Sequence, residues 1–177
     1  MNAFEKQVLV IIADNQFLIT ESLSTILQTE GCYKINKVVT EKSDLIKALK
    51  QDPISLLIID HSQIDFIGIF ELKEIKTSFP VLKVLVITNC LSKAELHELN
   101  SAGISDIILK TASKEELFEA LDATLVGGRY GGWVAERVAE IERYLGFEPP
   151  HFTVRIGERS PQWDLLWKRI FTGGDEN

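Results

Sequence analysis

Ser55-Leu56-Leu57-Ile58-Ile59-Asp60 is a run of apolar residues that stops on a carboxylate. With no polar alternation along it, the run predicts a strand covered on both faces, as strands are in a parallel sheet. Chemistry in open parallel sheets sits just beyond the carboxyl ends of the strands. Asp60 would stand at that edge. Three other strand-like runs end on polar groups in the same way: residues 8–13 into Asp14-Asn15, 84–87 into Thr88, and 107–109 into Lys110. These groups are expected to converge on one pocket around Asp60.

Working outward from this run, strands are predicted over residues 6–13, 35–40, 55–60, 83–88 and 106–109. Helices are predicted over 16–28, 42–51, 68–77, 92–102 and 113–125. The first helix gathers Leu18, Ile19, Leu23, Ile26 and Leu27 on one side at helical spacing, with Asp14-Asn15 as its cap. Leu45, Ile46 and Leu49 form the inward side of the second. Ser92 with Glu95, and Ser113 with Glu116, stand at capping-box spacing. Gly31 and Gly103 close helices, Asp52-Pro53 makes a turn, and Pro80 breaks away from the third helix. Five strands alternating with five helices give an α/β fold, a five-stranded doubly wound parallel sheet. Right-handed crossovers leave few topologies for it.

The 177 residues suit one domain of ordinary size with an extension. Hydrophobic residues make up 45% and charged residues 25%, the balance of a soluble globular chain. No apolar run approaches the ~20 residues of a membrane span. The opening residues 1–6 do not read as a signal peptide, so a cytoplasmic protein with no membrane association is expected. A net charge of −7 argues against a nucleic-acid surface. Cys32 and Cys90 make neither a disulfide framework nor a metal site, and read as buried or half-buried thiols. His61, His97 and His151 lack ligand spacing, so no transition-metal site is expected.

Composition changes near Gly127. Residues 1–127 hold twelve Lys and no Arg, whereas residues 128–177 hold six Arg, one Lys and all three Trp. The stretch from Gly127 to Gly132 is a natural junction, and the shift implies different origins for a domain over 1–127 and a helical extension over 128–177. In the extension, helices are predicted over 133–145 and 162–171, with a break at Glu148-Pro149-Pro150 and a short strand over 151–156. Trp163, Leu166, Trp167 and Ile170 make an apolar stripe on the last helix, which Ser160-Pro161 would open. The stripe reads as core, or else as a partner-docking face.

An aspartate at the pocket edge can accept a phosphoryl group if a divalent cation neutralises the incoming oxygens. Mg2+ prefers carboxylate and carbonyl oxygens and keeps several waters. Asp14 and Asp60 would share it with the backbone carbonyl of Ser62. The Thr88 hydroxyl and the Lys110 ammonium would hold the remaining phosphoryl oxygens, and catalysis would be positioning plus charge neutralisation. Taken singly, Thr88 is a strand-end hydroxyl, Lys110 a solvated charge and Asp14-Asn15 a helix cap. The conjunction at four strand ends is what points to chemistry.

On these residues the chain resembles the receiver domain of bacterial two-component response regulators, over about residues 6–126. Asp14-Asn15 stands where that family has its acidic pair, and Asp60 where it has the phosphorylated aspartate. Gly68, Thr88 and Lys110 match the later glycine, hydroxyl and lysine, with 28 residues from Asp60 to Thr88 and 22 from Thr88 to Lys110. The resemblance implies Mg2+-assisted phosphorylation of Asp60 by a sensor histidine kinase or phosphotransfer protein, with no enzymatic activity of its own. It also implies a response at the surface of the fourth helix, fifth strand and fifth helix, including residues 94–99 and 107–108, with a homodimer as an option. Ala13-Asp14-Asn15 and Leu109-Lys110-Thr111 are most similar to the subclass with a LuxR-type helix-turn-helix output. That output is expected to be absent, and DNA binding by this chain is not expected, because residues 128–177 carry seven basic and eight acidic groups.

Three positions depart from the family pattern. Asn15 replaces the second acid, Gln63-Ile64 replaces the usual Met-Pro, and Ile107 replaces the switch aromatic. Asn15 removes a charge from the metal site and weakens it. The departures frame a rival reading, a phosphorylation-independent pseudo-receiver acting as a protein–protein interaction module. A hydrolase of the aspartyl-phosphate type is disfavoured, because Ser62 stands where a second acid would be needed.

Overall fold

The apolar run does become a central strand. In the computed structural model, which describes residues 7–127, five parallel strands form one sheet: β1 (Val8–Ala13), β2 (Tyr33–Val39), β3 (Leu56–Ile59), β4 (Lys83–Thr88) and β5 (Ile107–Leu109). Their order is β2-β1-β3-β4-β5. β3 lies between β1 and β4, with Leu57 opposite both Ile11 and Val84, and Ile59 opposite both Ala13 and Val86. The helices are α1 (Phe17–Thr29), α2 (Lys42–Gln51), α3 (Phe70–Ser78), α4 (Lys93–Ser101) and α5 (Lys114–Val126).

Alternation along each strand divides the interior into two cores. Ile11, Leu57, Ile59 and Val86 pack with Leu45, Leu72 and Leu99 from α2, α3 and α4. Val10, Ile12, Ile58 and Leu85 pack on the other side with Leu23 and Leu27 of α1 and Leu117 and Leu121 of α5. Both faces of β3 are therefore dry, which is why its sequence has no polar member. A fully buried Leu or Ile stabilises by about 1.5–3 kcal/mol relative to leaving it exposed. The sheet order turns back between β1 and β3, so a crevice opens beyond their carboxyl ends. That crevice is where Asp14 and Asp60 emerge.

Several local expectations need correction. β2 starts at Tyr33, two residues earlier than expected, and its pairing with β1 shifts register between Val10 and Ile11. Leu18 is not on the inward side of α1: it is 76% exposed, and its neighbour Phe17 is 71% exposed. The helix buries Leu23 and Leu27 as expected, with Thr20 beside them, and Thr20 satisfies its hydroxyl on the Phe17 carbonyl. Asp14-Asn15 does not cap α1. The cap position is Gln16, with no side-chain cap bond, because Asp14 is drawn into the pocket. Cys32 and Cys90 are exposed; they sit in connections outside the strands, which run over the surface. The two capping boxes, Ser92 with Glu95 and Ser113 with Glu116, form as expected. α5 closes on Gly127 in the left-handed region (φ 81°), a conformation glycine adopts without a Cβ penalty. Among the described residues no helix is long and apolar enough to cross a membrane. The helices and strand expected over 133–171 lie outside the described residues.

Candidate phosphoacceptor site

Parallel register sets the first contacts. Ala13 is opposite Ile59, so the residues that follow, Asp14 and Asp60, leave adjacent strands side by side. The Asp60 amide still donates to the Ala13 carbonyl at 3.0 Å, and the Asp14 amide to the Val39 carbonyl at 3.1 Å. These bonds fix both main chains while their side chains turn inward. Asp60 is 1% exposed and Asp14 3%. Two carboxylates at that depth require a cation.

Lys110 is that cation. It follows β5, two strands from β3, and strands are about 4.8 Å apart, so only a long side chain can cross the gap. Its amide donates to the Thr88 carbonyl at 2.8 Å, which extends the ladder by one residue. Its Nζ lies 2.6 Å from Asp14 Oδ2 and 2.7 Å from Asp60 Oδ2. The same Nζ donates to Gln16 Oε1 at 2.7 Å. The ammonium is buried, so breaking this set from one side would cost about 3–5 kcal/mol.

The two oxygens of Asp60 are treated differently. Oδ1 accepts from the Ser62 amide at 2.9 Å and from the Ser62 hydroxyl at 2.6 Å. Oδ2 is buried and is met by the Lys110 ammonium alone, at 2.7 Å. One oxygen is locked by two donors of Ser62, and the other has the ammonium only. Asp14 Oδ1 accepts from the Gln16 amide at 2.7 Å, so its free side also faces Lys110.

Thr88 and Asn15 are not part of this set of contacts. Thr88 is buried, and its hydroxyl donates to the Cys90 carbonyl at 2.8 Å; it is engaged with its own loop. Asn15 is exposed. His61, next to Asp60, is buried with Nδ1 unpartnered. The Glu95 carboxyl of α4 is held below its ordinary range by hydrogen bonds from the Ser92 side chain and amide, and further by the nearby His61.

The structure thus brings Asp14, Asp60 and Lys110 into direct contact and adds Ser62 through its hydroxyl and amide. Sequence reasoning assigned Ser62 only a backbone carbonyl. A hydroxyl two residues after an aspartate is a recurrent local hydrogen-bonding pattern, and that signal was available. Gln16 was missed altogether. Among the described residues no group of three or more His, Cys, Asp and Glu is disposed to hold a metal. Two adjacent hard carboxylates, each with an oxygen met here by an ammonium, do fit Mg2+, which binds through one or two carboxylates and keeps waters.

Residues 10–122 match the family model described as the response regulator receiver domain. Among curated proteins, the response regulator protein VraR of Staphylococcus aureus (strain COL) is 26% identical over 119 residues, covering 67% of this chain and 56% of VraR. The chain therefore spans little more than half the length of the curated relatives it matches. Among solved structures, the isolated REC domain of RcsB from Salmonella enterica serovar Typhimurium, in the presence of phosphomimetic BeF3-, is 26% identical with a TM-score of 0.67. That match covers 75% of this chain and 98% of the RcsB domain. A CheY-like receiver domain protein from Methanospirillum hungatei JF-1 shares the fold, with TM-score 0.62 and 21% identity over 68% of this chain and 95% of that one.

Proposed function

Since the chain belongs to the response regulator receiver domain family, we propose that it accepts a phosphoryl group on Asp60 from a sensor histidine kinase or phosphotransfer protein. The observation that carries this reading is the asymmetry of the Asp60 carboxylate: two donors of Ser62 lock Oδ1, while the buried Oδ2 has only the Lys110 ammonium, at 2.7 Å. It is read as a signalling module, not an enzyme, acting in the cytoplasm.

In the proposed step the free Asp60 oxygen attacks the phosphorus of a phosphohistidine. An O–P bond forms, the P–N bond breaks, and its electron pair stays on the imidazole nitrogen. Ser62 prevents the carboxylate from rotating, so the attacking lone pair is aimed before the donor arrives. Lys110 exchanges part of its contact with Asp14 and Asp60 for a phosphoryl oxygen. The Thr88 hydroxyl turns from the Cys90 carbonyl to another, which frees the loop leading into α4. Asp14, Asp60 and the Ser62 carbonyl would hold Mg2+, with Asn15 adding at most a neutral amide oxygen. When bound, the ion neutralises charge on the phosphoryl oxygens. The phosphate adds about −1.5 to −2 charge, which biases the surface of α4, β5 and α5 where a partner or a second copy would read it.

The test is intact mass after incubation with acetyl phosphate and Mg2+, with Asp60→Ala alongside. Gain of one phosphoryl group, absent in the variant, is expected. No gain on a folded chain would return the function to a phosphorylation-independent interaction module.

A further inference from the structure

Residues 61–69 connect Asp60 to α3, and this loop carries Ser62. It opens with one turn of 3-10 helix, His61–Gln63. Ile64 follows, and without proline no ring fixes φ there. The loop is nevertheless tied to α2 at two points. Asp65 Oδ1 accepts from the Lys42 amide at 2.5 Å. That amide is the first of α2 and would otherwise be an orphan donor, because the cap residue Glu41 supplies no side-chain bond. The loop therefore caps the helix.

The second tie is Glu71, in the first turn of α3 and only 4% exposed. Its Oε2 accepts from the Ile67 amide at 2.7 Å, and its Oε1 pairs with Lys42 Nζ. The hydrogen bond from Lys42 holds the Glu71 carboxyl below its ordinary range, and the same bond raises the Lys42 ammonium. Both are charged at neutral pH. One residue of α2 thus grips the loop twice, with its main chain at Asp65 and its side chain through Glu71.

We propose that Lys42, Asp65 and Glu71 form a clamp that holds Ser62 against Asp60, which makes them positioning residues for phosphoryl transfer and for the cation beside it. This rests on the reading of Asp60 as acceptor. Asp65 lies three residues beyond Ser62, so slack at Asp65 is felt at the Ser62 amide and hydroxyl. Loss of those two bonds leaves the Asp60 carboxylate held by the Lys110 contact alone. Ser62 is the direct outer partner of Asp60, and loss of such a partner typically changes metal affinity by about 10–100-fold.

The experiment uses the full chain with Lys42→Met, Lys42→Arg and Asp65→Ala. Lys42→Met leaves the main-chain bond to Asp65 in place and removes the ammonium; Lys42→Arg keeps a cation. Hydrogen exchange of the Ser62 amide, read by NMR, is the primary measurement, with Mg2+ affinity and the acetyl phosphate reaction rate beside it. In Lys42→Met and Asp65→Ala, Ser62 exchange is expected to quicken, and Mg2+ affinity and rate to fall on the order of tenfold. Lys42→Arg should match the unaltered chain. Should Lys42→Met fail to fold, Asp65→Ala carries the test. Unchanged Ser62 exchange in folded variants overturns the clamp, even where urea unfolding shows lower stability. Because exchange needs no phosphoryl transfer, the two readings fail separately. A released Ser62 on a chain that acetyl phosphate never modifies keeps the clamp and overturns the acceptor.

Discussion

Asn15 is the residue at which this site differs most from a three-carboxylate pocket, and it is exposed while Asp14 beside it is buried. An aspartate there would add one negative charge close to the cation position. At ~4 Å, even with the dielectric of water, a unit charge and a divalent ion attract by about 2 kcal/mol. Asn15→Asp is therefore expected to tighten Mg2+ binding by at least about tenfold, measured by calorimetric titration; unchanged affinity would place position 15 outside the metal's reach. At this scale the sequence was informative about residue types at strand ends and poor on side-chain direction. Asp14, Asp60 and Lys110 were legible because each follows an apolar run that must stop where the sheet stops. The Thr88 hydroxyl was legible as present, but its bond to Cys90 was not, since hydroxyl rotation depends on a loop carbonyl. Gln16 carries no pattern of its own; its role exists only because Lys110 arrives from 94 residues away.

Among the elements, β3 is the one on which both cores depend. Leu57 packs into one and Ile58 into the other, and both are buried. Leu57→Ala should destabilise by about 2–5 kcal/mol, read from the urea midpoint at constant slope. A loss below that range would mean that α2 and α3 close over the cavity. β3 and β4 were readable from continuous apolar runs, and α2 from its spacing. α1 was less readable. Six apolar residues in its sequence compete for one buried stripe, and the sheet accepts Leu23 and Leu27 while Phe17 and Leu18 turn to solvent. β2 was read late because an edge strand alternates only in part, and Tyr33 at its start is buried by α5, against the Phe118 ring at 6.2 Å. Nothing local announces such a contact.

For the whole molecule, the pH dependence of folding follows from the tie between α2 and α3. Glu71 has an ordinary value of 4.5 and a lower one in the folded chain, first through its bond from Lys42. The unfolded chain therefore binds the proton more readily. The stabilisation is full above 4.5 and is lost as pH falls below it, through the folded value. Thermal midpoints should drop across that acid window, and Glu71→Gln should flatten the drop while lowering the plateau at neutral pH. An identical acid slope in the variant would remove Glu71 from the balance. The topology itself was legible, since alternating strand and helix signals leave few parallel arrangements. The tie was not, because its partners are 29 residues apart on two helices and meet only after the sheet has formed.

The strand order has one more implication. β5 is three residues long and lies at the margin of the sheet, yet it delivers the ammonium on which both buried carboxylates depend. The pocket's counter-charge hangs from an outermost thread of the weave. A displacement of that margin is therefore a displacement of charge at the centre. Under the proposed acceptor role, a molecule that grips the margin in one placement and a phosphoryl group that draws on the ammonium would bias the same equilibrium. By reciprocity each must alter the affinity for the other by one common factor.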